Sequence, residues 1–128
     1  MTNHAKVLIV DDNKSIRQII KRILSNSNHI FFEAGTGEDA LALIKETIFN
    51  VIFLDIRLPF GISGLEVFKT AKAIQPKLGK VIILTGWLED NIKAEADKLG
   101  AFAFLDKAPL DRNAIIGMFN KALLQESE

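Results

Sequence analysis

Four short apolar runs constrain the fold of this chain most strongly, because none of them alternates with polar residues. They lie at residues 7–10, 51–54, 81–84 and 101–105. A continuous apolar run of this length is typical of a parallel strand that is buried on both faces. None of the runs approaches the roughly 20 apolar residues that a membrane-spanning helix needs. The pattern therefore predicts a parallel sheet that is covered on both faces.

Stretches with helical periodicity lie between these runs. The first has apolar residues at the i, i+3, i+4, i+7 and i+8 spacing of one helix face, namely Ile16, Ile19, Ile20, Ile23 and Leu24. Its basic residues are Lys14, Arg17, Lys21 and Arg22. They are predicted to form an exposed basic face, which is usually only solvated.

Capping pairs mark the starts of two further helices. Thr36 with Asp39 opens the helix after a second strand at Ile30–Ala34, and Ser63 with Glu66 opens the helix after the third strand. The apolar residues assigned to these helices are Leu41, Ile44 and Ile48 in the earlier one and Leu65, Phe68 and Ile74 in the later one.

Two more strand–helix units complete the pattern. The helix predicted at about residues 88–99 is the most polar, and Gly100 stands where a left-handed C-terminal cap belongs. Its apolar residues are Leu88, Ile92, Ala96 and Leu99. A fifth strand near residues 103–105 precedes a last helix with Ile115, Ile116, Phe119, Ala122 and Leu123. Five strands alternating with five helices predict βαβ units with right-handed crossovers.

Length and composition limit the number of domains and the functional classes that the chain can belong to. The 128 residues suit one domain, predicted at residues 1–128 with its core at about 6–124, and no linker or repeat interrupts them. With no cysteine, disulfides and Cys-ligated metal sites are excluded. The 16 basic and 16 acidic residues argue against direct nucleic-acid binding, which favours a basic excess. Because neither a secretory leader nor a membrane span is evident, we expect a cytoplasmic protein.

Polar residues follow four of the strands at the points where the strands end. Asp11 and Asp12 follow the first strand, Asp55 the third, Thr85 the fourth and Lys107 the fifth. The carboxyl ends of parallel strands meet at one edge of the sheet, where ligands of such folds bind. We therefore expect three carboxylates, a hydroxyl and an ammonium group to converge.

Each of these residues has an ordinary explanation when it is taken alone. Asp12 or Asn13 could cap the first helix, Asp55 could be a turn residue, and Lys107 could be a solvated surface lysine. Three clustered carboxylates are harder to explain, since like charges repel by roughly 4 kcal/mol at 4 Å and an effective dielectric constant of about 20. An oxygen-rich site with few carboxylates suits Mg²⁺. We therefore predict a site for Mg²⁺, with Mn²⁺ as a substitute.

At these residues the sequence resembles the receiver domain of two-component response regulators, the fold of the chemotaxis protein CheY. The matching stretches are VLIVDD at 7–12, EAGTGEDAL at 33–41, DIRLP at 55–59, Thr85-Gly86 and FLDK at 104–107. The resemblance implies a flavodoxin-like, doubly wound α/β fold, with five helices and a parallel sheet in the strand order 2-1-3-4-5.

The resemblance also implies the chemistry. Asp55 would be the phosphoacceptor, and an aspartate carboxylate can act as a nucleophile that carries a phosphoryl group. Asp12, Asp55 and the backbone carbonyl of Arg57 would ligate Mg²⁺, and Asp11 would act through a bound water. The donor would be a sensor histidine kinase or a histidine phosphotransfer protein.

The remaining implied residues concern the response to phosphorylation. Thr85 and Lys107 would bind phosphoryl oxygens, and Phe104 would occupy the family's aromatic switch position. Partner binding would change at the face formed by the fourth helix, fifth strand and fifth helix, where a downstream effector protein or output domain binds. The chain would then be a regulatory phosphoacceptor that catalyses only its own phosphorylation and slow dephosphorylation, and not an enzyme acting on a substrate.

The sequence departs from the family pattern in two loops. Gly64 lies five residues after Pro59 where the family has four, which indicates one inserted residue. The usual Lys-Pro pair is split by Ala108, so the cis bond that the family has after the lysine is predicted to precede Pro109 or to be absent.

Two bulky residues flank the predicted phosphorylation site. Arg57 lies two residues after Asp55, and Trp87 lies two residues after Thr85. In the family these two positions influence how fast the phosphoryl group is hydrolysed. We hypothesise that Trp87 shields the acyl phosphate from water. The alternative is that Trp87 is a half-exposed surface aromatic without a role.

Nucleotide-binding folds fit less well. The residues GTGEDA at 35–40 match a dinucleotide fingerprint after a strand. However, Glu38 and Asp39 would then face a pyrophosphate at a helix N-terminus, where an anion needs bare N–H groups. Asp11 and Asp12 disfavour FMN for the same reason, and the sequence contains no Gly-Lys-Ser/Thr of a P-loop.

Other functional classes also agree less well with the sequence. A haloacid-type hydrolase requires a second aspartate where Arg57 stands, and the isolated His4 and His29 do not indicate a metal or phosphohistidine site. The remaining alternative is a degenerate receiver that acts as a phosphorylation-independent protein-docking module. The complete acidic set, together with Thr85 and Lys107, argues against it.

Overall fold

Five strands alternate with five helices in the computed structural model, which describes residues 4–25, 28–87 and 89–124. The strands are β1 (Lys6–Val10), β2 (Ile30–Ala34), β3 (Val51–Asp55), β4 (Lys80–Thr85) and β5 (Ala103–Asp106). The helices are α1 (Lys14–Leu24), α2 (Gly37–Glu46), α3 (Gly64–Ile74), α4 (Asp90–Leu99) and α5 (Arg112–Leu124). Within these ranges, no helix has the length and apolar character to cross a membrane.

The strands form one parallel sheet in the order β2-β1-β3-β4-β5. This is the order that the family resemblance implies, and it confirms the predicted doubly wound α/β fold. The register pairs Val10 with Leu54 and Thr85 with Asp106. The carboxyl ends of the four strands that precede the predicted site residues therefore finish at the same edge.

The strands are buried on both faces, which explains why their sequences do not alternate. The four apolar residues of β1 are each 0% exposed. Leu8 and Val10 belong to the core under α2, α3 and α4, whereas Val7 and Ile9 belong to the core under α1 and α5. Each apolar run thus supplies both cores at once.

Side-chain caps mark the beginnings of α1, α2 and α3. Thr36 and Ser63 cap α2 and α3 as predicted, and Gly100, at φ 95°, ends α4 in the left-handed conformation. Asn13 is the residue that caps α1, with its side-chain oxygen accepting two backbone N–H groups. The ordinary explanation of Asp12 as a helix cap therefore does not apply.

Two expectations about helix boundaries need correction. Ile48 was assigned to the apolar face of the second helix, but α2 ends at Glu46 because Thr47 is already extended. Ile48 is 49% exposed in the connection to β3. The fourth helix begins at Asp90 instead of residue 88, and Leu88 lies outside the described residues.

The prediction of an exposed basic face on α1 is wrong for Arg17. Its Nε donates to Glu33 Oε1 at 2.9 Å, and its side chain is only 16% exposed. Lys21 pairs with the same carboxylate at 3.6 Å, and Gln18 also donates to it. Partial burial opposes the charge of Glu33, but these hydrogen bonds and cations outweigh it and lower its pKa. Arg17 and Lys21 therefore join α1 to β2.

His29 makes the stability of the fold depend on pH. Its Nδ1 accepts the backbone N–H of Ala5 at 3.1 Å, and its ring packs edge-on against Phe119. Burial, with a smaller effect from the charge of His4, lowers the pKa of His29 in the folded chain. Below the ordinary pKa of about 6.5, the unfolded chain therefore binds more protons than the folded one. The stabilisation is present above that pH and is lost as the pH falls through the folded-state pKa.

We accordingly expect the free energy of unfolding to decrease between pH 7 and pH 5. Urea titrations over this range measure it, with His29→Gln as the matched variant that keeps an acceptor but does not titrate. The difference between the two proteins isolates His29 from the carboxylates. Parallel curves for wild type and variant would contradict the prediction.

Candidate functional site

The carboxyl ends of β1, β3, β4 and β5 bring the predicted site residues to one edge of the sheet. Asp11 follows β1 directly, Asp55 and Thr85 are the last residues of β3 and β4, and Lys107 follows β5. Backbone hydrogen bonds hold these ends in line: the N–H of Asp11 donates to Ala34 O at 3.1 Å, and that of Lys107 to Thr85 O at 2.9 Å.

The ammonium group of Lys107 lies between two carboxylates. Its Nζ donates to Asp55 Oδ2 at 3.0 Å and lies 2.8 Å from Asp11 Oδ2. Burial disfavours the charged ammonium, but the hydrogen bonds and charges of the two aspartates outweigh it and raise the pKa of Lys107. Lys107 is therefore a fixed positive charge at neutral pH. The Ala108–Pro109 bond that follows is cis, which agrees with the first of the two outcomes predicted for the split pair.

Asp11, Asp12 and Asp55 form one acidic group beside this ammonium. Each offers a carboxylate oxygen, and these oxygens all lie within 4.8 Å of one another. Asp11 is fully buried, and its Oδ2 faces the Lys107 ammonium at 2.8 Å, with no second partner in the described part of the chain. A buried carboxylate oxygen with spare acceptor capacity, next to two further carboxylates, fits a hard divalent cation.

Asp55 is buried but well oriented. It is 3% exposed, and burial raises its pKa. The charge of Asp11 adds to this effect, whereas the backbone N–H of Arg57, 2.9 Å from Oδ1, and the ammonium of Lys107 favour the carboxylate. A desolvated carboxylate whose two oxygens are each held by a donor is suited to nucleophilic attack.

Asp11 is fixed by neighbours that sequence reasoning did not identify. Its Oδ1 accepts the backbone N–H of Asn13 at 2.8 Å, and its backbone carbonyl accepts Arg17 Nη1 at 2.6 Å. Because Glu33 holds the same guanidinium, the α1–β2 ion pair also supports the acidic group. The only sequence signal for this pair is one basic and one acidic residue 16 positions apart.

A second set of contacts links the loops after β3 and β4. The Thr85 hydroxyl oxygen accepts the N–H of Trp87 at 3.1 Å. Arg57 extends from the other loop, and its Nε donates to Trp87 O at 3.3 Å while its Nη2 donates to Glu89 Oε1 at 3.2 Å. Its guanidinium also lies 5.5 Å from the centre of the Trp87 indole ring. Trp87 is 67% exposed. The two predicted modulating residues are therefore in contact, and Glu89, which no local pattern singles out, completes the link.

Phe104 is half-buried in β5, with its ring beside α4. Lys93 Nζ lies 4.9 Å from the ring centre and also pairs with Asp97. A groove of about 400 Å³, lined in part by Thr85 and Trp87, borders the ring. The side chain at the predicted switch position thus has open space next to it.

The loop between β3 and α3, where the spacing predicts an inserted residue, folds against α2. Gly61 adopts φ 74°, with the carboxylate of Glu38 against its backbone, and the N–H of Ile62 donates to Glu38 Oε2 at 3.3 Å. Leu58 is buried and Ile62 packs against the core on either side of the turn. The chain between them carries Phe60 outward, where it is 74% exposed.

Comparison with known proteins identifies the family. The family model that describes the response regulator receiver domain matches residues 7–120 of this sequence. Sporulation initiation phosphotransferase F of Bacillus subtilis is 31% identical over 118 residues, which cover 92% of this chain and 93% of that protein. Transcriptional regulatory protein ResD of the same organism is 29% identical over 126 residues, and the chain spans only 50% of its length.

Solved structures agree with this assignment. A CheY-like receiver domain protein from Methanospirillum hungatei superposes with a TM-score of 0.89 at 27% identity, over 98% of both chains. A response regulator from Burkholderia pseudomallei, solved with a phosphorylated aspartic acid, a calcium ion and citrate, has a TM-score of 0.78 at 26% identity, over 89% of this chain and 65% of that one. The family match covers most of the sequence, and the strand order is the same as expected from it. This chain therefore belongs to the family of response regulator receiver domains.

Proposed function

We propose that this chain accepts a phosphoryl group on Asp55 from the phosphohistidine of a sensor histidine kinase or a histidine phosphotransfer protein. Receiver domains are regulatory phosphoacceptor domains, so the output would be altered binding to an effector protein or output domain. The observation that carries the proposal is the buried Asp55 carboxylate, hydrogen-bonded to Lys107 and grouped with Asp11 and Asp12. The phosphorylated aspartic acid of the Burkholderia regulator supports it.

The proposed transfer uses three side chains of this chain. A carboxylate oxygen of Asp55 attacks phosphorus, the P–N bond to the donor imidazole breaks, and its electron pair leaves with the imidazole. Lys107 then moves from the carboxylate to a phosphoryl oxygen. The Thr85 hydroxyl, whose oxygen accepts the Trp87 N–H, keeps its own proton for a second phosphoryl oxygen. Stabilising these oxygens is the main contribution that proteins make to phosphoryl transfer.

Mg²⁺, or Mn²⁺ in its place, is the proposed cofactor. The Asp12 and Asp55 carboxylates and the backbone carbonyl of Arg57 would hold it, with Asp11 acting through a water molecule. When bound there, the ion would neutralise charge on the transferred group. The acidic group and the spare acceptor capacity of Asp11 Oδ2, which is paired with Lys107 alone, support this assignment.

The proposed readout is the face formed by α4, β5 and α5. When Thr85 turns toward the phosphoryl group, it gives up the Trp87 N–H, and the adjoining groove becomes the space into which Phe104 moves. Lys93 on α4 then loses its contact with the ring. The surface of α4 changes as a result, and partner affinity changes with it.

Reduction of the acyl phosphate by borohydride tests which residue is phosphorylated. After incubation with acetyl phosphate and Mg²⁺, reduction converts the modified aspartate to homoserine, which peptide mass spectrometry locates. We expect the label at position 55 and none in Asp55→Asn. A label at Asp11 or Asp12 would contradict the proposed acceptor. An unlabelled chain that still binds its effector would favour the phosphorylation-independent docking module.

Trp87→Ala is expected to shorten the lifetime of the acyl phosphate several-fold. Arg57 holds the exposed indole beside Thr85, where the ring would screen the phosphoryl group from attacking water. The measurement is the decay of the phosphorylated mass after acetyl phosphate is removed, with Ile48→Ala as a control that removes a similarly exposed apolar group elsewhere. A half-life that is unchanged or longer in Trp87→Ala would rule out shielding.

A further inference from the structure

Two exposed aromatic side chains border the predicted phosphorylation site. Of the nine phenylalanines and one tryptophan, all within the described residues, only Phe60 and Trp87 are exposed, at 74% and 67%. They lie in the loops that follow β3 and β4, on the sheet edge that carries Asp55. Trp87 has internal partners in Arg57 and Thr85. Phe60 has no aromatic or cation contact within the described part of the chain.

The loop presents Phe60 from a fixed backbone. On one side Leu58 is buried, and on the other Gly61 and Ile62 are held by the Glu38 carboxylate. Ile62 also fills the space above Gly37, where a Cβ atom would lie 2.5 Å from Ile62 Cγ1. The residues on both sides of Phe60 are thus held in place. Little backbone entropy therefore remains to be lost when a partner protein covers Phe60.

These properties are those of an interface anchor. Aromatic residues, Phe included, are enriched in the cores of protein interfaces, and a few such buried side chains, surrounded by a polar rim, carry most of the binding energy. Here the Arg57–Glu89 ion pair joins the same two loops, and Glu38 on α2 lies against the turn at Gly61, so both supply polar groups nearby. Within the fold, by contrast, nothing is gained by leaving a phenylalanine in water.

We propose that Phe60 is an aromatic anchor for the phosphodonor protein, a role that rests on the proposed function of Asp55. Asp55 is only 3% exposed and lies five residues before Phe60. A protein that brings a phosphohistidine to this carboxylate approaches the sheet edge formed by the loops after β3 and β4, and one of these loops carries Phe60. A small donor such as acetyl phosphate reaches Asp55 without covering Phe60. Phe60 thus determines specificity for protein donors, through an apolar pocket on the donor that accepts the ring.

The comparison of a protein donor with a small donor tests this role. Autophosphorylated catalytic cores of a panel of histidine kinases are screened with the wild-type chain, and the one that transfers fastest is used. We expect Phe60→Ala to lower kcat/KM for this donor at least about tenfold, mainly through KM, as for an interface anchor. The rate with acetyl phosphate stays unchanged. Phe60→Trp should retain most of the protein-dependent rate, and Ile48→Ala should change neither rate.

A direct binding measurement removes ambiguity about KM. The dissociation constant of the unphosphorylated kinase core should rise for Phe60→Ala in parallel with KM. Equal losses with both donors, or no loss with the kinase core, would overturn the role of Phe60. The role of Phe60 would also be overturned if no kinase of the panel transferred its phosphoryl group to the wild-type chain although acetyl phosphate phosphorylates that chain. If acetyl phosphate leaves Asp55 unmodified, the proposed function itself fails, and the two failures are thereby distinguished.

Discussion

Replacing Lys107 by methionine is expected to slow phosphoryl transfer to Asp55 by about 100-fold and to tighten Mg²⁺ binding by on the order of tenfold. The rate of transfer falls while the affinity for Mg²⁺ rises because of the position of the ammonium group, 2.8 Å from Asp11 and 3.0 Å from Asp55. In the proposed transfer this charge would stabilise phosphoryl oxygens, whereas before transfer it would compete with the divalent cation for the same carboxylates. Removing it leaves the carboxylates to the cation alone.

The same substitution should destabilise the cation-free protein by about 3 kcal/mol, because it leaves a buried pair of carboxylates without a counter-charge. Added Mg²⁺ should restore much of this loss. Thermal unfolding with and without Mg²⁺, Mg²⁺ titration followed by Trp87 fluorescence, and the initial rate with acetyl phosphate measure the three effects. Lys45→Met, at an exposed position of α2, is the matched control. Weaker Mg²⁺ binding in Lys107→Met would contradict this account of the site.

Gly64→Ala is expected to lower the stability by about 3 kcal/mol or more, at the upper end of the cost of overpacking. Gly64 is the first residue of α3 and donates its N–H to Ile56 O at 3.2 Å. A Cβ atom there would lie 2.0 Å from the backbone oxygen of Asp55 and 2.6 Å from the Cα of Ile56. Only backbone movement relieves such contacts, so either α3 or the end of β3 must shift.

Gly117→Ala provides the matched control for this prediction. Gly117 lies in the exposed part of α5, and nothing is within 4 Å of where its Cβ would be. Alanine should therefore stabilise the helix by about 0.5–1 kcal/mol. Calorimetry should show Tm falling by roughly 10 °C for Gly64→Ala and rising slightly for Gly117→Ala. A Gly64→Ala protein with unchanged Tm would contradict the close packing of α3 against β3.

The sheet could be predicted well because its signals are local. A strand buried on both faces must be apolar throughout, and the caps at Thr36, Ser63 and Gly100 act within one helical turn. The strand order did not follow from the apolar runs and depended on the resemblance to receiver domains. Ile48 was assigned to α2 because its spacing continues the helical pattern, although the chain has already turned toward β3.

The same distinction between local signals and tertiary contacts applies to the candidate site. Asp11, Asp55, Thr85 and Lys107 could be predicted to converge, because strand ends of a parallel sheet share one edge. The pairs Arg17–Glu33, Arg57–Glu89 and Lys93–Phe104 could not, because each joins residues from separate elements through side-chain packing. The exposure of Phe60 was likewise not foreseen. The spacing that predicts an inserted residue is visible in the sequence, but the turn at Gly61 against Glu38 is not.

The intact mass of the chain after incubation with acetyl phosphate and Mg²⁺ tests the central claim most directly. We expect the mass of one added phosphoryl group in the wild-type protein, and none in Asp55→Asn or when a chelator removes the cation. The Phe60→Ala protein, altered outside the reacting groups, should gain the group as readily as wild type. A mass that stays unchanged in wild type while Mg²⁺ demonstrably binds, or an adduct that persists in Asp55→Asn, would contradict the assignment of Asp55 as the phosphoacceptor.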